Sequence, residues 1–96
     1  MPAGNFSLYN VSFKRKGTGR WVFMSGEITN NLKRDYTSTV FKLSVFERDT
    51  ILWSGSIKIR NFRKGHTKPF EVLMDGLVHN ITPRISRYEI YFESGY

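Results

Sequence analysis

The chain contains no cysteine, so neither a disulfide framework nor a thiolate metal site is available and the packed core must supply stability unaided. No apolar run approaches the roughly 20 residues a membrane-spanning helix needs. The start, Met1-Pro2-Ala3-Gly4, has neither a basic nor an apolar leader region. Helical periodicity is missing too: no stretch of ten or more residues carries an i, i+3, i+4 apolar stripe free of Gly, Pro or β-branched crowding.

Catalytic signatures are equally scarce. Carboxylates are scattered singly, and the one close pair, Glu47 and Asp49, flanks a turn centred on Arg48, where acids commonly solvate a hairpin. The two histidines, His66 and His79, fall in expected loops at opposite ends of the molecule, without a His, Cys or acid at metal-ligand spacing. Ser54-Gly55-Ser56 is a strand kink or bulge and not a nucleophile elbow. Lys16-Gly17-Thr18-Gly19 enters a strand and so lacks the helix N-terminus a phosphate cradle needs. No catalytic residue, metal ligand or cofactor site is expected, and the chain reads as a non-enzyme. Asn10-Val11-Ser12 and Asn80-Ile81-Thr82 satisfy the glycosylation rule, which matters only in a eukaryotic secreted protein.

What is present is β-sheet material. Ninety-six residues, 40% hydrophobic and 16% aromatic, suffice for one domain with one core. Apolar residues recur at period two, with β-branched and aromatic types dominant. Strands are expected at Phe6 to Phe13, Arg20 to Thr29, Tyr36 to Glu47, Ile51 to Arg60, Lys68 to Met74 and Ile85 to Glu93. In the second, Val22, Met24 and Ile28 share a face with Gly26; in the third, Phe41, Leu43 and Val45 alternate with Lys42 and Ser44. The last sets Tyr88, Ile90 and Phe92 against Arg87, Glu89 and Tyr91. Such alternation belongs to antiparallel sheets with one face wet. Turns fall at 16–19, at Asn30-Asn31 and at Arg63-Lys64-Gly65, where Gly and Asn accept the left-handed region. A short seventh strand around Leu77 to Asn80 and a division of the fourth run at Gly55 remain open. The expected fold is all-β, an immunoglobulin-like antiparallel β-sandwich of six to seven strands spanning residues 1–96.

From Gly26 to Phe70 the order of features resembles the FxLYD family, small β-sandwich domains of bacterial and archaeal envelope or secreted proteins. The likeness rests on Gly26-Glu27-Ile28-Thr29-Asn30-Asn31 at a strand end, on Tyr36 opening the next strand, on Leu43-Ser44-Val45-Phe46-Glu47 at the place of the name motif, and on Phe62 to Phe70 with its expected Pro and Glu replaced. The resemblance implies an immunoglobulin-like module without catalytic residues or cofactor, in an extracytoplasmic or envelope setting.

Fifteen Lys and Arg against eight Asp and Glu give a net charge of +7, which favours anionic partners. With six strands alternating up and down, Lys33, Arg34, Arg63, Lys64, His66 and Lys68 gather at one end. Lys14, Arg15, Lys16, Arg20, Arg48 and Arg84 gather at the other. Tyr36 and Phe62 lie close to the first set in sequence, and basic-plus-aromatic loops suit stacking on a base or sugar. Trp21, Phe23, Val40 and Phe46 fall on the faces of strands two and three opposite the core set, and Trp53 sits beside that question. Either a long loop or the N-terminal strand covers that face, or it forms a partner or self-association surface. The functional expectation is a binding or structural module contacting another protein or polymer, with an anionic ligand and weak homodimerisation as further expectations. The alternative is a small basic β domain that binds nucleic acid.

Overall fold

A computed structural model of the chain describes residues 6–15 and 19–96; the turn at 16–18, with Lys16, lies outside them. Six strands are present: β1 (Phe6–Arg15), β2 (Trp21–Asn30), β3 (Tyr36–Glu47), β4 (Thr50–Phe62), β5 (Thr67–Val78) and β6 (Arg87–Gly95). They form two three-stranded antiparallel sheets, ordered β1-β2-β5 and β4-β3-β6. The pairings β2 with β5 and β3 with β6 reproduce the B–E and C–F neighbours of the immunoglobulin sandwich, and β4 takes the place beside C.

The alternation explains the core. Val22, Met24, Ile28, Phe70 and Met74 of the first sheet face Phe41, Leu43, Val45, Ile57, Ile59 and Ile90 of the second, all buried. This is the apolar material whose removal from water drives the sheets together. Two interruptions of strict alternation turn aromatic rings into that core. At Asn10, φ is 53° and the β1–β2 register shifts between Tyr9 and Ser12. Phe6 and Phe13, at positions of opposite parity, therefore both pack with the core. At Asn61, φ is 51°. Phe62 would otherwise share the outward face of Lys58 and Arg60, yet it is fully buried opposite Tyr36. Asn is the residue type that bears the left-handed region most cheaply after Gly.

Two open alternatives are decided. Gly55 does not divide the fourth run: β4 continues through it, and the Trp53 ring lies over its Cα, so that an added Cβ would stand 2.2 Å from the ring. The missing side chain makes room for an indole. Trp53 pairs with Val45 and so takes the core side of its sheet. No seventh strand forms at 77–80; β5 runs on to Val78, past Gly76 at φ 90°, and the chain then winds into a 3-10 turn, His79–Arg84. Pro83 within that turn has no N–H for a sheet ladder.

Candidate functional site

Asn30 builds one end of the sandwich. It closes β2 and is fully buried. Its side-chain amide donates to the carbonyls of Arg34 at 2.9 Å and Phe62 at 3.1 Å, and its Oδ1 accepts from the Leu32 N–H at 2.9 Å. Its backbone N–H donates to the His66 carbonyl, and its carbonyl accepts from the Gly65 N–H at 2.8 Å. One residue thus ties the β2–β3 loop, 31–35, to the β4–β5 loop, 63–66. The Asp35 carboxylate completes the tie by accepting from the Lys64 backbone N–H at 2.9 Å.

The charges follow from that clamp. Lys33, Arg34, Arg63, Lys64 and His66 are exposed on the joined loops, and Asp35 is the one acid among those loop residues. Lys68 stands just inside β5, half-buried and paired with Ile28. Six residues placed together by counting strands therefore lie on two adjoining loops and the strand that leaves them. The rings behave differently. Phe62 has no exposed surface and Tyr36 is only 7% exposed, while the Arg34 guanidinium sits 4.9 Å from the Tyr36 ring centroid. Neither ring is open for a ligand to stack on.

The cationic surface extends beyond the loops. One depression is lined by Asp35, Tyr36, Thr37, Asn61 and Arg63; the next, sharing Thr37 and Asn61 with it, adds Ser38, Lys58, Arg60 and Tyr96. Lys58 and Arg60 alternate with the buried Ile57 and Ile59 and so share the outward face of β4. Tyr96, 73% exposed, is anchored through its backbone to Ser38. These three residues were not singled out in the sequence, although the Ile-Lys-Ile-Arg alternation carries the signal for two of them. Tyr96 is brought in by tertiary pairing alone.

At the opposite end the basic residues are differently engaged. Arg84 donates to both Glu47 carboxylate oxygens, at 2.6 and 3.0 Å. Those hydrogen bonds hold the Glu47 carboxyl below its ordinary range and push the Arg84 guanidinium up. The Arg48 backbone N–H donates to Ser86 Oγ at 2.7 Å, joining the β3–β4 turn to the segment entering β6. Arg20 lies over the Trp21 ring, 5.6 Å from its centroid.

The expected apolar face on strands two and three divides. β2 and β3 belong to different sheets, so Trp21 and Phe23 lie on one side of the sandwich and Val40 and Phe46 on the other. Phe46 is only 8% exposed, with the Arg87 guanidinium 3.8 Å from its ring centroid. Trp21 and Phe23 are half-buried and continue into Val78 and Leu73, their exposed partners on β5. No family model, curated protein or solved structure matches this chain.

Proposed function

We propose that the chain is a non-catalytic binding module whose ligand is an acidic polymer or an acidic segment of another protein, held at the Asn30 end. The observation that supports this most directly is the clamp. Two loops are fixed against each other by a buried side chain, so the backbones carrying Lys33, Arg34, Arg63 and Lys64 are held together before binding and only side-chain freedom remains to be lost. Their only acidic loop neighbour already serves a backbone N–H. The resemblance of Gly26–Asn31 and Leu43–Glu47 to the FxLYD pattern agrees with an accessory module in an envelope or secreted protein. Glu47 is engaged by Arg84, which agrees with reading it as a turn-flanking acid.

Nucleic acid is the weaker reading, because Phe62 and Tyr36 are buried and base stacking is what single-stranded ligands ask of such loops. Binding to a sulfated polysaccharide, to poly-glutamate and to a single-stranded oligonucleotide, each across a salt series, tests the proposal. The logarithm of the affinity for the acidic polymers should fall linearly with log salt. The variant Arg63→Ser/Lys64→Ser should weaken it about tenfold, while Lys14→Ser/Arg20→Ser at the other end leaves it unchanged. Equal loss from both variants would reduce the effect to net charge, and no binding at low salt would end the proposal. Preferential capture of the oligonucleotide would favour the nucleic-acid reading.

A further inference from the structure

The second sheet ends at β6, which pairs with β3 on one side and, among the described residues, with nothing on the other. In the seven-stranded immunoglobulin arrangement the strand at this place has a neighbour on both sides. An unpaired edge presents a row of free N–H and C=O groups that will template another strand.

The other three edges are blunted. β1 breaks its register at the Asn10 bulge. β5 carries Pro69, which has no N–H, beside the half-buried Lys68. β4 carries Lys58 and Arg60 on one face, a like-charge row that repels its own copy. β6 pairs with β3 unbroken from Arg87 to Phe92; the single register shift comes after it.

The side chains of β6 then select a partner. One face reads Arg87, Glu89, Tyr91, with Glu93 next in the alternation, and the core face reads Tyr88, Ile90, Phe92. An antiparallel copy centred on Ile90 sets Arg87 opposite Glu93, Glu89 opposite Tyr91 and Tyr88 opposite Phe92. Centring on Tyr91 instead sets Glu89 against Glu93, and centring on Glu89 sets that carboxylate against itself. One register is complementary on both faces, and its neighbours oppose like charges. The tyrosine–carboxylate match is already used within one chain, where the Tyr91 hydroxyl donates to Glu89 at 3.0 Å. Phe92 remains 38% exposed although its ring packs against Phe6, Tyr36 and Phe41. In the Ile90-centred register Tyr88 of a second copy would stand opposite it.

We propose that β6 is the docking edge for a second copy of this chain. The two β4-β3-β6 sheets join antiparallel about a two-fold axis at Ile90 into one continuous six-stranded sheet.

Sedimentation equilibrium up to millimolar concentration tests this, with circular dichroism confirming that each variant is folded. Glu93→Arg and Arg87→Glu should each weaken dimerisation about tenfold or more by opposing like charges twice per dimer. The double variant, which restores both pairs with reversed sign, should return to within about threefold of the parent. A monomer at every concentration, a dimer indifferent to both single changes, or a folded double variant that fails to recover would each overturn the proposal. Because Arg87 also pairs with Glu89 of its own chain and covers Phe46, an independent readout uses Glu89→Cys and Tyr91→Cys chains with a short bis-maleimide, which adds to one thiol at each end. The mixture should cross-link far faster than either chain alone, and equal rates would exclude this register.

Discussion

Asn30 shows how one polar side chain sets the geometry of a surface it never reaches. A buried amide must find partners for its donors and acceptor, and here those partners belong to two loops distant in sequence. Asn30→Ala removes three side-chain hydrogen bonds and leaves the Phe62 carbonyl without that donor in the interior. It should cost about 3 kcal/mol in a urea unfolding experiment, at the upper end for a buried unsatisfied group. Amide exchange at Leu32 and Gly65 should speed up more than exchange at the centres of β2 and β3. A uniform rise in exchange would show a general loss of stability instead of a lost clamp. The sequence marked Asn30 as a turn residue; that its side chain is buried between two loops depends on contacts no local pattern contains.

Elements are joined at the far end by the ion pair between Glu47, closing β3, and Arg84, ending the 3-10 turn. The Glu47 carboxyl titrates below its ordinary value because Arg84 hydrogen-bonds its charged form. A carboxylate whose folded pKa lies below its unfolded one stabilises the fold above the unfolded pKa. That contribution disappears as pH falls through the folded pKa. Carboxyl chemical-shift titration should place the Glu47 midpoint below the ordinary glutamate value. Arg84→Ala should return it to the usual range and flatten the acid limb of stability against pH. An unchanged midpoint would show that the pair does not persist in solution. Glu47 was legible in the sequence as a turn-flanking acid, whereas its partner stands 37 residues away and was assigned only to the same end.

For the whole molecule, the problem is closing two three-stranded sheets along the side where β1 and β6 stand as edges. Aromatic rings bridge that side: Phe6 stacks on Phe92 at 5.4 Å between centroids, and Phe13 meets Tyr88 at 6.2 Å. Phe6 also touches Phe41 edge-on at 4.9 Å, stacks on Phe62 at 5.8 Å and meets Tyr36 at 6.5 Å, so four rings share it. Phe6→Ala should cost about 3–5 kcal/mol, the range for emptying a buried aromatic site, measured as a lowered urea midpoint. A cost below about 1 kcal/mol would mean that other side chains collapse into the space. If β6 pairs with a second copy, the same substitution should also weaken dimerisation, because Phe6 supports the ring of Phe92.

The alternation of side chains determined most of the architecture by itself: which runs are strands, which face of each is apolar, and that two sheets must close on those faces. It also placed the loop cations at one end, since strand count alone assigns loops to ends. What only the tertiary structure decided lies where alternation fails or where distant residues meet. The left-handed backbone at Asn10 and Asn61 changes which parity faces inward. Gly55 serves the Trp53 ring, and the split of β2 and β3 between sheets sends Phe23 and Phe46 to opposite sides. The Gly55–Trp53 contact is local but depends on the ring's conformation, and the others depend on how distant strands pair; a period-two pattern holds no information about either.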